Sequence, residues 1–240
     1  MKLTFAGTRG YIEAATRRHG KHAALDVAYL KRRVRIDCGL DWRDRTANLA
    51  VEAILITHAH PDHAEGLREG SPCPVYATAP SWEAMADYPI DDRRIVALRK
   101  PFEAGGMRFE AFPVVHSTRA PAVGYRIEAG RVAVIYAPDL VYIEDRAAAL
   151  QGARLYIGDG ATVTRSFVRK IDGSLVGHTP VRTQLTWCQK EGVPRAIISH
   201  CGSEIVKGDE RTLGAKIRRM AEERGVAAKI AYDGMEVVLR

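Results

Sequence analysis

Short apolar segments follow one another along the chain at the length and spacing of β-strands. Alternating or β-branched apolar positions predict strands at residues 2–5, 24–30, 33–37, 53–57, 74–77, 94–98, 107–115, 123–127 and 132–136. Helical periodicity predicts helices at residues 81–87, 143–150, 180–191 and 209–224, and further strands are expected at 195–199, 229–232 and 236–239. A strand-rich first half followed by alternating helices and strands predicts an α/β fold with two sheets flanked by helices.

Composition fits one globular unit. The chain has 240 residues, of which 46% are hydrophobic and 27% charged, so a single domain over residues 1–240 is expected. The sequence contains no run of about 18 uncharged apolar residues, so no membrane helix is predicted. The opening MKLTFAGTRG lacks the apolar stretch of a signal peptide. Four cysteines without CxxC spacing are typical of reduced thiols, which predicts a cytoplasmic protein.

The formal net charge of +7 favours either solubility or the attraction of anionic substrates. Basic residues cluster around Arg17 and Arg18 and again around Arg165 and Arg169, where arginine forks would bind phosphate or simply face solvent. Aromatic residues do not alternate with these cations as they do in proteins that stack single-stranded bases. A nucleic-acid partner is therefore compatible with the sequence but not specifically indicated.

The segment ILITHAHPDHAEG, residues 54–66, places three histidines and an aspartate directly after an apolar strand. His58 and His60 are two residues apart, so in extended backbone their side chains point to one side. Pro61 is expected to force a turn that brings Asp62 and His63 toward the same point. Four potential ligands in one short loop exceed what one metal takes from a single segment, so two metals are predicted. Mixed imidazole and carboxylate ligands suit Zn, Mn or Fe.

The run from Thr57 to His63 resembles the HxHxDH motif of the metallo-β-lactamase fold superfamily, which holds one or two metals between two β-sheets. The resemblance implies further ligands after later strands. The sequence has His116 after FEAFPVV, Asp139 after VAVIYAP and His200 after RAIIS. The resemblance thus implies the four-layer αββα sandwich of the metallo-β-lactamase fold over most of the chain.

Other segments resemble the ribonuclease Z and cyclic-phosphodiesterase branch of that superfamily. FAGTRG is similar to its FLGTGG-type opening, and GHTPVRTQLTWCQKEGVPRAIISH is similar to its GHST-type turn, helix and last ligand. Between His63 and His116 there is no Gly/Pro-rich arm of the kind with which ribonuclease Z grips tRNA. This departure argues against a tRNA substrate.

The resemblance implies a first metal held by His58, His60 and His116 and a second held by Asp62, His63 and His200, with Asp139 bridging. It also makes His178 and Asp62 the candidate catalytic residues. A water between two such cations ionises near neutral pH and attacks a phosphorus or a carbonyl carbon. His178, in the turn GHTP, would then protonate the leaving oxygen or, alternatively, only support the helix start. Asp159 and Asp37 either orient a ligand histidine or stabilise a turn.

Three classes of function remain open. The first is a phosphodiesterase or a small nuclease, the second a thioester or lactone hydrolase, and the third a metal-binding protein without catalysis. The branch resemblance, the positive charge and His178 favour the first. We therefore expect a dinuclear phosphodiesterase that acts on a small anionic substrate with two divalent ions, Zn or Mn, with Fe also compatible. A homodimer is a further expectation, because dimers are the commonest oligomers.

Overall fold

A computed structural model describes residues 1–240. The strands, in chain order, are β1 (Lys2–Gly7), β2 (Ala24–Tyr29), β3 (Arg32–Ile36), β4 (Ala53–Leu55), β5 (Val75–Ala77), β6 (Arg93–Ile95), β7 (Phe102–Ala104), β8 (Met107–Val115), β9 (Ala122–Ala129), β10 (Val132–Tyr136), β11 (Tyr142–Ile143), β12 (Leu155–Asp159), β13 (Arg169–Ile171), β14 (Ser174–Val176), β15 (Arg195–Ser199), β16 (Ala227–Ile230) and β17 (Glu236–Val238). The α-helices are α1 (Pro61–Ala64), α2 (Ala79–Ala84), α3 (Arg146–Leu150), α4 (Val181–Lys190), α5 (Ser203–Lys207) and α6 (Glu210–Glu222). Two 3-10 helices cover Leu40–Asn48 and Glu65–Leu67.

Two large mixed sheets pack face to face. The first has the strand order β17-β1-β2-β3-β4-β5-β6, and the second has the order β11-β8-β9-β10-β12-β15-β16, with β7 paired to β8. Strands β13 and β14 form a separate hairpin. Apolar side chains of both sheets share one core, for example Phe5 and Leu25 from the first sheet with Phe109 and Tyr125 from the second. Burial of these inner faces holds the sheets together.

Helices cover the outer face of each sheet. Leu185 of α4 and Ile217 of α6 pack with Ile198 of the second sheet. Trp82 of α2 packs in a separate cluster with Ile54 of the first sheet. The layers therefore run helix, sheet, sheet, helix, which confirms the predicted αββα sandwich. None of the helices combines the length and the apolar character that a membrane crossing requires.

Parallel strands end together at one edge of the sandwich. In the first sheet β3, β4, β5 and β6 run parallel, and in the second sheet β10, β12, β15 and β16 do. The loops that follow parallel strands emerge at the same edge of a sheet, where functional side chains are commonly carried. Asp37 and His58 follow β3 and β4, while Asp139 and His200 follow β10 and β15. The strand order thus gathers residues that are far apart in the sequence.

Local structure differs from the sequence prediction at several places, among them strands β7, β13 and β14 and helix α5, which were not predicted. Pro61 begins the short helix α1 and does not merely turn the chain, because proline is well tolerated in the first helical turn. The predicted helix at residues 143–150 is divided into β11 and α3, since Asp145 between them has a left-handed φ of 48°. Strand β12, which the pattern did not predict, is fully buried within the second sheet.

Candidate metal centre and active site

One loop after β4 carries four of the predicted ligands. Strand β4 is buried along its whole length, and His58 follows it with no exposed surface. Helix α1 then turns the backbone so that Asp62 and His63 are also buried. This helix packs directly on Gly39, where a Cβ atom would overlap the Asp62 carbonyl. The absence of a side chain at Gly39 therefore allows α1 to reach its position.

A first group of potential ligands lies between the two sheets. It consists of His58, His60, His116 and Asp139, whose ligand atoms all lie within 4.8 Å of one another. His60 Nδ1 is 2.9 Å from His58 Nε2 and 3.3 Å from His116 Nε2. Two of the side chains come from the loop after β4 and two from the second sheet, so the group joins both halves of the sandwich.

A second group lies beside the first. It consists of Asp62, His63 and His200, also within 4.8 Å. The Oδ2 atom of Asp62 is 3.2 Å from Nε2 of His63 and 3.2 Å from Nε2 of His200. Asp139 stands between the groups, because its Oδ2 atom is 3.7 Å from His58 Nε2, 3.8 Å from His63 Nε2 and 3.6 Å from His200 Nε2. The structure thus brings together all seven residues predicted as ligands.

The donor set fits divalent cations. A cation bound at about 2.1 Å to each ligand holds neighbouring ligand atoms roughly 3 to 4 Å apart, and the nitrogen–oxygen separations given above lie in that interval. Nε2 of His63 and Oδ1 of Asp139 are buried and make no well-aligned hydrogen bond, although charged neighbours surround them. Buried nitrogen and oxygen atoms that point toward one space but make no hydrogen bond there have the arrangement of ligands around a common metal ion.

Buried carboxylates set the charge of this centre. Burial opposes ionisation of Asp62, but the imidazoles of His63 and His200 hold the pKa of this carboxyl well below its usual range. Burial also disfavours a charged His63, yet Asp62 and Asp37 raise its pKa to about 10. The carboxylates around His200 likewise overcome burial and raise its pKa to about 10. Without a cation, the buried carboxylates therefore favour protonated His63 and His200, and both imidazoles would have to lose that proton to bind a divalent ion.

His178 is paired with Asp159 next to the two groups. Its Nδ1 lies 2.8 Å from Oδ2 of Asp159 and 3.0 Å from Oδ1 of Asp139. Burial disfavours the charged imidazole, but these two carboxylates raise the pKa of His178 to about 11. Together with His200, the ligand atoms of these residues also lie within 4.8 Å of one another, but this set shares Asp139 and His200 with the two groups and is not independent of them.

Gln184 fixes the position of Asp159 and was not anticipated from the sequence. Its side chain is fully buried and makes two hydrogen bonds to the Asp159 backbone. Oε1 accepts from the Asp159 N–H at 2.9 Å, and Nε2 donates to the Asp159 carbonyl at 2.7 Å. Nε2 of Gln184 also donates to the Thr179 carbonyl, next to His178, at 3.2 Å. The signal available in the sequence is a polar residue on the otherwise apolar face of the helix that carries Val181 and Leu185.

Asp37 supports His63 from behind. Oδ2 of Asp37 is 2.9 Å from His63 Nδ1, and Oδ1 accepts the backbone N–H of Thr57 at 2.8 Å. The Thr57 hydroxyl lies 3.0 Å from both carboxylate oxygens. Asp37 itself has a left-handed φ of 65° and is completely buried. Of the two roles open from the sequence, the orienting contact to His63 is therefore present.

Replacing Asp37 with alanine is expected to lower the free energy of unfolding of the metal-free protein by about 2–4 kcal/mol, because Thr57 and His63 lose their buried acceptor. Asp37→Asn should cost less, since asparagine tolerates left-handed backbone and keeps an acceptor for Thr57. Urea unfolding followed by circular dichroism measures both, with the exposed Asp44→Ala as a control. Equal stability of Asp37→Ala and Asp44→Ala would contradict the supporting role of Asp37.

The two ligand groups open into connected cavities. A cavity of about 430 Å³ is lined by residues of both groups, including His60, Asp139 and His200, and by His178. An adjoining cavity of about 810 Å³ shares His60, His116 and His178 with it and is also lined by Arg119 and Arg169. Both arginines are exposed. Guanidinium groups therefore lie beside one approach to the candidate metal centre.

The chain belongs to the beta-lactamase superfamily, since the family model described as "Beta-lactamase superfamily domain" matches residues 32–201. It is similar to the metallo-beta-lactamase fold protein YhfI from Bacillus subtilis, with a TM-score of 0.75, 16% identity and coverage of 98% of both chains. These matches confirm the predicted fold and superfamily.

Two sequence relatives carry nuclease names. The chain is 28% identical to "Exodeoxyribonuclease WalJ" of Streptococcus pneumoniae over 137 residues, covering 50% of this chain and 51% of the relative. It is also 28% identical to "Ribonuclease Z" of Methanopyrus kandleri over 149 residues, covering 54% of this chain and 51% of the relative. The chain therefore spans about half the length of each, and the second match confirms the predicted resemblance to the ribonuclease Z branch.

Proposed function

We propose that this protein is a dinuclear metal-dependent hydrolase that cleaves phosphodiesters. The observation that carries the proposal is the position of Asp139, whose Oδ2 lies within 3.8 Å of histidine nitrogens from both ligand groups. His58, His60 and His116 would hold one cation, Asp62, His63 and His200 would hold the other, and Asp139 would be shared. When bound, two divalent ions supply a nucleophile from water near neutral pH and polarise the phosphoryl group. Zn and Mn suit these ligands, and Fe is also compatible.

His178 is the proton donor to the leaving oxygen in this proposal. Because Nδ1 faces the carboxylates of Asp159 and Asp139, Nε2 is the ring nitrogen left for substrate. The ring remains a quarter exposed and lines the cavity. The raised pKa keeps His178 protonated at neutral pH, which is the state that a general acid needs. Asp159 positions the ring and stabilises its charge, as the carboxylate of a catalytic triad does.

An anionic phosphodiester substrate is supported by two observations. Arg119 and Arg169 line the cavity that leads to His178, and neither has a carboxylate partner. Arginine forks match phosphate oxygens in geometry and charge. The two named relatives are nucleases, which are enzymes of phosphodiester cleavage. Because of these relatives, a small metal-dependent nuclease is the second candidate. We place the enzyme in the cytoplasm, where its four free cysteines would stay reduced.

Hydrolysis of bis(p-nitrophenyl) phosphate by protein reconstituted separately with Zn and with Mn tests the proposal. We expect metal-dependent release of nitrophenolate, and its loss in Asp139→Ala prepared in parallel, which excludes a contaminating enzyme. A protein that binds two ions and hydrolyses no phosphodiester with either metal would contradict the proposal. Turnover of a thioester or a lactone under those conditions would identify the alternative reaction expected from the same centre.

A further inference from the structure

A third cavity of about 680 Å³ lies next to the candidate active site. It meets the arginine-lined cavity at His116, Ser117 and Thr118, which line both. It is built from the end of β8, the start of β9, the segment after β6, the start of α2, β11 with the residue that follows it, and the tip of the β13–β14 hairpin. A group held in this cavity is therefore adjacent to His116, and neither Asp62 nor His200 lines the cavity.

The walls of this cavity are apolar. Its apolar side chains include Val96, Leu98, Val114, Val115, Val123 and Leu175, and four serine and threonine side chains line it as well. No lysine or arginine lines it, and the charged carboxylate present is that of Glu144. Such a surface disfavours a phosphate or a carboxylate and favours an uncharged apolar group.

Exposed apolar side chains are concentrated around the same opening. Of the large hydrophobic residues that remain exposed, Leu98, Tyr142 and Leu175 line this apolar cavity, at 47%, 40% and 42% exposure. Phe167 and Ile171 line the neighbouring arginine-lined cavity. Single exposed apolar residues need no explanation, but a contiguous patch beside a polar site is typical of a ligand contact.

We infer that the apolar cavity binds an aromatic or other uncharged apolar ester group of the substrate, the group that is retained on phosphorus when the diester is cleaved. The inference rests on the proposed function and narrows its substrate class. The leaving oxygen must face His178 to receive its proton, so the second ester group points elsewhere. His116 adjoins both spaces, with its ring 5.5 Å from that of His178. The apolar cavity, which His116 lines and His178 does not, accommodates that group.

The test compares two diesters with the same leaving group, bis(p-nitrophenyl) phosphate and methyl p-nitrophenyl phosphate. In the double variant Leu98→Ser/Leu175→Ser, kcat/KM for the diaryl substrate should fall about tenfold, the change expected when roughly 60 Å² of aryl surface loses its apolar wall. The methyl ester should change less than about twofold by the same argument. Both substituted side chains are partly exposed, so folding should persist.

Ile95→Ser is the matched control, because Ile95 is 74% exposed on the neighbouring strand and lies outside the apolar cavity. It should leave both substrates unaffected. Equal losses for the two diesters in the double variant, or none for either, would overturn the inference while leaving phosphodiester hydrolysis itself intact. A dimer that the double variant dissociates in sedimentation velocity would also overturn it, since a second copy would then cover the cavity.

Binding of phenylphosphonate and methylphosphonate, measured by calorimetry, separates this inference from the proposed function. The phenyl compound should bind about tenfold more tightly to the native protein and lose that preference in the double variant. If the preference is present but no phosphodiester is hydrolysed, the proposed reaction fails and the apolar site stands. If diesters are hydrolysed and neither phosphonate is preferred, the apolar site fails alone.

Discussion

Replacing Asp139 with alanine is expected to lower the metal content from two ions per chain toward one and to reduce phosphodiester turnover by about 10³-fold or more. Asp139 is the one carboxylate close to histidine nitrogens of both ligand groups. Its removal takes a negative charge and a ligand from each group at once. Without the shared carboxylate, less negative charge offsets the repulsion between two neighbouring cations, so the second one binds more weakly. Elemental analysis after gel filtration gives the stoichiometry, and steady-state kinetics give the loss.

Asp44→Ala is the control for this experiment, because Asp44 is exposed and lies outside both ligand groups. It should retain two ions and native turnover. Thermal unfolding of both variants checks that the fold is kept. Two fully occupied sites in Asp139→Ala would rule out the bridging role, whatever the effect on turnover.

Replacing His178 with alanine should leave both ions bound and slow turnover by about 10²-fold. Nδ1 of this ring contacts Asp159 and Asp139, and its other edge faces the cavity, so its removal takes away a proton donor and not an essential ligand. The loss should depend on the leaving group. An alkoxide needs a proton, whereas nitrophenolate leaves as a stable anion.

The decisive comparison for His178 is therefore between a dinucleotide and bis(p-nitrophenyl) phosphate. A larger loss for the dinucleotide supports proton donation. An equal loss for both substrates would reassign His178 to positioning, and unchanged turnover would leave it a structural residue. Asp159→Asn should reproduce part of the effect, because it removes the charge that holds the His178 proton while keeping the shape of the side chain.

Local patterns predicted much of the sandwich. Strands such as β8 and β10 have long apolar or alternating runs, and their predicted bounds agree closely with the structure. Strand β12 is as long as β10 but was missed because Gly158 and Asp159 interrupt its apolar run. That glycine is required by packing, since a Cβ atom there would overlap the Gln184 side chain and Tyr156. A tertiary contact of this kind leaves no periodic signal in the sequence.

Some residues of the candidate site were predictable from local sequence patterns, and others were not. Residues of the HAHPDH loop were accessible to prediction because their spacing is local, and His116, Asp139 and His200 because each follows an apolar run. Gln184 acts through contacts made only after α4 packs on β12, so its role depends on the fold. The apolar cavity is assembled from six separate segments, and none of them has a distinctive pattern alone. For this reason the sequence did not predict which substrate group the site selects.

Each ligand group draws side chains from both sheets, and this has a consequence for the lifetime of the protein. Cations held by His58 and Asp139, or by His63 and His200, would fasten one half of the sandwich to the other. Ligands that bind only the folded chain add stability according to their concentration, about 2.7 kcal/mol at a hundred times the dissociation constant. When metal is scarce, more molecules would lack this added stability and be open to proteolysis. The abundance of this protein would then follow the metal supply of the cell.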